Sequence, residues 1–129
     1  MAQEALVDSL IEGGRKVLEA LDQANLAISV ALWLFHEGSE QYRLVLASPL
    51  VNKRGARAAY LKIAEILDAG GLRDALPVGR VQAVRTDDPF VKALRRIVRT
   101  KSGEISGVRL ANNYVNDVAI SDAYVYRAA

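Results

Sequence analysis

The chain has 129 residues, 51% of them apolar and 25% charged, with one histidine, one tryptophan and no cysteine. That composition fits a single globular domain with its own core, and it excludes disulfide frameworks, thiol catalysis, thiolate zinc sites and iron–sulfur clusters. The net charge of +2 hides an asymmetry: residues 1–52 hold 3 Lys/Arg and 7 Asp/Glu, a net of −4, while residues 53–129 hold 14 and 8, a net of +6. Such a field favours an anionic partner, or another copy docked head to tail.

Residues 3–24 place Leu6, Leu10, Ile11, Val17, Leu18 and Leu21 at helical spacing. Gly13-Gly14 interrupts them, at about 1 kcal/mol per glycine relative to alanine. A break or kink there is the simpler expectation; a neighbour too close for a side chain is the alternative. The acids of Met1–Asp8 do not fit a secretory leader, and the nearly apolar run Ala24–Phe35 is too short to span a bilayer. The expectation is a soluble cytoplasmic protein with no membrane partner.

Leu26–Phe35 (LAISVALWLF) lacks polar alternation, which predicts a strand covered on both faces and central in its sheet, with Trp33 in the core. His36 then opens a polar turn, and Tyr42–Ser48 returns as a second strand ended by Pro49. A helix is expected over 54–69, with Ala59, Ile63, Ile66 and Leu67 inward and Gly70-Gly71 as its stop. Arg80–Arg85 reads as a short edge strand.

Asp88-Pro89 is an N-cap followed by a first helical proline, and the spacing predicts a helix over 87–101. Phe90, Val91, Leu94, Ile97 and Val98 would face the core; Lys92, Arg95, Arg96 and Arg99 would form an opposing cationic stripe, with Lys101 beyond. Ile105–Ala111 reads as a strand, Asn112–Asp117 as a turn, and Val118–Arg127 as a final strand with Val118, Ile120, Tyr124 and Tyr126 on one face and Asp122 interrupting it. The order is α-β-β-α-β-α-β-β: one α+β domain over residues 1–129, with a mixed sheet of about five strands, three helices, and helices or a dimer partner covering both faces.

Two basic clusters carry the functional expectation. Lys92, Arg95, Arg96 and Arg99 either form a solvated helix face or bind an anion. Lys53, Arg54 and Arg57 sit where a helix should begin, opposing its dipole unless the helix starts later. The pattern there is no Walker loop, and no serine elbow or dinucleotide fingerprint occurs. Tyr124 and Tyr126 beside Arg127 offer a stacking platform or the rim of a core.

The leading expectation is a non-enzymatic interaction module, without cofactor or metal, whose basic part engages nucleic acid or an acidic protein surface. The alternatives are a metal-dependent hydrolase or nuclease using Asp87, Asp88, Glu104 and Asp122, with Asp117 also considered, and a self-assembling scaffold or other homo-oligomer.

Overall fold

The structure is a computed structural model that describes residues 6, 8–74, 76, 78–115 and 118–129. Its elements are α1 (Asp8–Gln23), β1 (Val30–His36), β2 (Gln41–Ala47), α2 (Pro49–Arg54), α3 (Ala56–Ala69), a 3₁₀ turn (Val78–Arg80), β3 (Val81–Val84), α4 (Pro89–Leu94), β4 (Val108–Val115) and β5 (Val118–Ala128). The five strands form one mixed sheet in the order β3-β2-β1-β5-β4. Only β2 and β3 run parallel; the other neighbours are antiparallel. The α+β architecture, the central place of β1 and the edge position of β3 all match the sequence reading.

Residues of β1 alternate between two cores, which is why that strand reads as continuously apolar. Ala31, Trp33 and Phe35 join Val17, Leu18 and Leu21 of α1 and Ile63 and Leu67 of α3. Val30 and Leu32 join Val91 and Leu94 of α4 on the opposite face. Helices on both faces exclude water from the middle strand.

α1 runs unbroken through Gly13 and Gly14, so the expected kink is replaced by the close approach. A Cβ on Gly14 would meet the Tyr126 hydroxyl and the Trp33 indole nitrogen. The Trp33 Nε1–H donates toward Leu10 O at 3.1 Å and the Tyr126 hydroxyl at 2.9 Å, and the Tyr126 hydroxyl donates to Ile11 O at 2.5 Å. Gly14→Ala in a helix ordinarily stabilises; here the methyl must displace the Tyr126 hydroxyl and the Trp33 indole nitrogen, both held in hydrogen bonds. The expected result in urea unfolding is a loss of about 1–3 kcal/mol, the usual cost of overpacking, instead of the gain of up to ~1 kcal/mol that helix propensity alone gives.

Four corrections concern boundaries. Pro49 does more than end β2: Ser48 caps α2, its Oγ accepting from Leu50 N at 3.2 Å, and Pro49 is the first helical residue. The helix expected over 54–69 is α3, starting at Ala56; α2 is an additional helix before it, the two parted by Gly55 at φ +88°, so the helices number four among the described residues. The helix expected over 87–101 ends at Leu94, because Thr100 is drawn to the sheet: Thr100 N donates to Ala128 O and Ala128 N to Thr100 Oγ1, both at 2.9 Å. Ile97 thus lies 48% exposed instead of in the core. β4 begins at Val108 and continues to Val115 through part of the expected turn, whose Asn116 and Asp117 lie outside the described residues.

The β4–β5 hairpin changes face partway along. Val108 and Leu110 with Ala123 and Val125 pack on the α4 side, and so do Val115 and Ile120, although their strand parity is opposite. The switch falls at Asn112, at φ +52°, and Ser121, which are missing from an otherwise constant register. Ile120 accordingly leaves the face of Tyr124 and Tyr126, and Val118 is 46% exposed, so the single apolar face expected for this strand does not form. Nearer the chain end, Ala31 pairs with Arg127 but Leu32 with Val125. Tyr126 is the extra residue of a bulge, and both it and Arg127 reach the α1 side.

Candidate anion-binding surface

The parallel strands β2 and β3 end side by side and send their helices to opposite faces of the sheet. β2 leads through α2 to α3 on one side, and β3 leads to α4 on the other. A crevice beyond the carboxyl ends of strands whose connections diverge is where open α/β sheets bind ligands. Both connections share one local chemistry. Ser48-Pro49 opens α2 and Asp88-Pro89 opens α4, the Asp88 carboxylate accepting from Phe90 N at 2.9 Å. Each helix spans 6 residues and buries one valine in its first turn, Val51 or Val91.

The two connections are joined side chain to backbone. Asn52 Nδ2 donates to Thr86 Oγ1 at 3.0 Å, and Thr86 N donates to Asn52 Oδ1 at 2.9 Å. Lys53 and Arg54 follow Asn52 directly, so this reciprocal pair brings the first basic cluster beside the loop that enters α4. Both cations occupy the last turn of α2, where they complement the dipole. The expected conflict with a helix start is thereby removed for Lys53 and Arg54, while Arg57 keeps it. Arg57 lies exposed in the first turn of α3.

The second cluster divides by role. Arg95 does not belong to an open stripe: its Nε donates to Ala129 O at 2.7 Å, Nη1 to Thr86 O at 3.1 Å and Nη2 to Ser29 Oγ at 3.2 Å. It fastens the ends of β1, β3 and β5 together. Arg99 donates its Nε to Arg95 O at 3.2 Å and stays exposed. Lys92 and Arg96 are exposed and line a shallow groove with Asp87, Pro89 and Ala93. Asp87 at that groove is paired with Arg85, whose Nε lies 2.8 Å from Oδ1, and this hydrogen bond holds its carboxyl below the ordinary range.

The carboxylates considered for a metal do not gather. Asp87 pairs with Arg85, Asp88 caps α4, Glu104 accepts from Lys101 N at 3.4 Å, and Asp122 is held on the sheet; Asp117 lies outside the described residues. Among the described residues no three His, Asp or Glu side chains are placed to hold one ion. Asp122, the residue that interrupts the expected apolar face, is fully engaged. Its Oδ1 accepts from Arg109 Nε at 2.6 Å, and its Oδ2 accepts from Arg109 Nη2 and the Tyr42 hydroxyl, each at 2.5 Å.

Burial pushes the Asp122 carboxyl up, but the Arg109 fork and the Tyr42 hydroxyl outweigh it and leave it below its ordinary value. A carboxyl depressed in the folded state stabilises above its unfolded pKa and loses that contribution as pH falls through the folded one. Wild type should therefore lose stability on acidification below about pH 4, the unfolded carboxylate range. Asp122→Asn should lower stability by about 1–2 kcal/mol at neutral pH, the scale of charge-assisted hydrogen bonds, and flatten that acid slope. Thermal melts of both proteins between pH 3 and 7 check both effects.

Arg127, which the sequence placed only beside a stacking platform or core rim, is 1% exposed and ion-paired to Asp22 of α1. Its position as the last charge in an apolar strand was the available signal. Tyr126 is also buried, at a centroid distance of 5.3 Å and 71° from Tyr124, so these residues form a core edge and no open stacking platform. No helix among the described residues is long and apolar enough to cross a membrane. Comparison with known protein families, curated proteins and solved structures finds no match to this chain.

Proposed function

We propose that the protein is a non-enzymatic interaction module whose basic end, at the carboxyl edges of β2 and β3, engages an anionic partner. Lys53, Arg54, Arg57, Lys92, Arg96 and Arg99 would make the contacts, and Arg95 would hold their platform together. The observation that supports this reading is the reciprocal Asn52–Thr86 pair, which ties α2, the helix that carries Lys53 and Arg54, to the loop that enters α4. Repeating phosphates suit such a surface, since a polyanion can reach both clusters at once. Among the described residues the exposed large apolar side chains are Leu61, Ile97, Tyr114 and Val118. None is an aromatic on α2, α3 or α4, so base stacking is not part of the proposal and contacts run to the backbone.

Labelled RNA and DNA, single- and double-stranded, should bind at low salt with a steep salt dependence. Lys92→Gln with Arg96→Gln should reduce the log–log salt slope by about 1.8 for duplex DNA, or ~1.4 for single strands, two contacts' worth. Neither side chain makes a hydrogen bond or ion pair among the described residues, so the melting temperature should stay unchanged. Arg95→Gln should instead lower stability. An acidic protein as the partner would show as no nucleic-acid binding together with salt-sensitive capture by a polyglutamate surface. No binding to any of these polyanions at low salt would sink the proposal.

A further inference from the structure

The two edges of the sheet are treated differently. β3 has 4 residues, and the Tyr60 hydroxyl of α3 accepts from Ala83 N at 2.9 Å, occupying a donor on that edge. β4 has 8 residues, with neither lysine nor proline. Among the described residues, no side chain of another element hydrogen-bonds its backbone. Its one charge, Arg109, is turned to Asp122 within the same chain. Short length, charge, proline and covering side chains are the devices that keep sheet edges from pairing. β3 has two of them and β4 lacks them over Val108–Ala111; only Asn112, at φ +52°, interrupts it beyond.

We infer that the edge of β4 over Val108–Ala111 pairs antiparallel with the same segment of a second copy, joining two sheets into one across a two-fold axis. Antiparallel pairing of a segment with itself is self-complementary, and a chain with one open edge and one blocked edge closes at two copies. Arg109 presents no uncompensated charge to its mate, because Asp122 neutralises it. Val108 and Leu110, half-buried at the rim of the α4-side core, gain cover from the partner's same residues. The two-fold lies perpendicular to the sheet, so both α4 helices fall on one face of the dimer.

Sedimentation equilibrium from low-micromolar to near-millimolar chain should show a reversible species of twice the 14.0 kDa chain mass. Amide exchange of Val108–Ala111 should slow as concentration rises. Ala111 is exposed, and Ala111→Lys should weaken association about tenfold or more by setting like charges across the axis. Should that variant fold poorly, the wild-type exchange measurement decides. A monomer at every concentration overturns the inference, and so does a dimer that leaves β4 exchange unprotected and is indifferent to Ala111→Lys.

Discussion

Arg127→Ala should destabilise the protein by about 3–5 kcal/mol, the range for breaking a buried ion pair by removing one partner. The guanidinium satisfies three parts of the chain at once. Nη1 and Nη2 grip the Asp22 carboxylate at 3.0 and 2.7 Å, Nη1 also donates to Ile28 O at 3.1 Å, and Nε donates to Glu104 O at 2.8 Å. Truncation leaves Asp22, whose side chain is one-third exposed, without its cation and two backbone carbonyls without a donor. Arg127→Lys should recover only part of the loss, since an ammonium cannot reproduce the planar fork. Urea unfolding with an unchanged m-value measures both. A loss for Arg127→Ala below about 1 kcal/mol would mean that water replaces the guanidinium at little cost.

Trp33→Ala should cost about 3–5 kcal/mol as well, by the different route of an unfilled core volume. The indole is fully buried on the central strand, and its Nε1–H joins the Tyr126 hydroxyl to α1. Trp33→Phe keeps most of the volume and removes the donor, so its cost should be smaller, about 1 kcal/mol. Trp33 is the only tryptophan, which makes its emission a direct reporter: blue-shifted and poorly quenched by iodide. Emission at the wavelength of free indole, with easy quenching, would contradict the placement of β1.

What was legible in the sequence is what a single segment decides by itself. The uninterrupted run at Leu26–Phe35 announces burial on two faces, and β1 is the middle strand. Asp88-Pro89 announces the start of α4. The same signal at Ser48-Pro49 marks in the sequence only the end of a strand, because a helix of 6 residues carries too little periodicity to be seen. The close approach at Gly14 required Tyr126, from the far end of the chain, and no local pattern contains it. The end of α4 was likewise set elsewhere, by Thr100 bonding to β5. Asn113 is a turn former by local chemistry that pairing with β5 overrides, whereas Asn112 keeps a positive φ at the break in register.

The candidate surface was legible as a list of cations but not as an arrangement. Lys92 and Arg96 are exposed as the helical spacing implied, whereas Arg95, one residue before Arg96, is drawn inward by Ala129, Thr86 and Ser29. A charge pattern cannot distinguish a contact from a clamp when the acceptors are backbone carbonyls, which every residue supplies. The apparent clash of Lys53 and Arg54 with a helix dipole arose from a missing helix boundary, not from the residues themselves.

In the proposed function both basic clusters serve one ligand, and the salt dependence of binding in a mutant cycle tests this. The four proteins are wild type, Lys53→Gln with Arg54→Gln, Lys92→Gln with Arg96→Gln, and the combination of both pairs. Each pair should lower the log–log salt slope for the same nucleic acid by about 1.4–1.8, and the combined variant should lower it by the sum. A slope that responds to one pair and ignores the other would contradict the claim that the Asn52–Thr86 junction unites the two clusters into one surface.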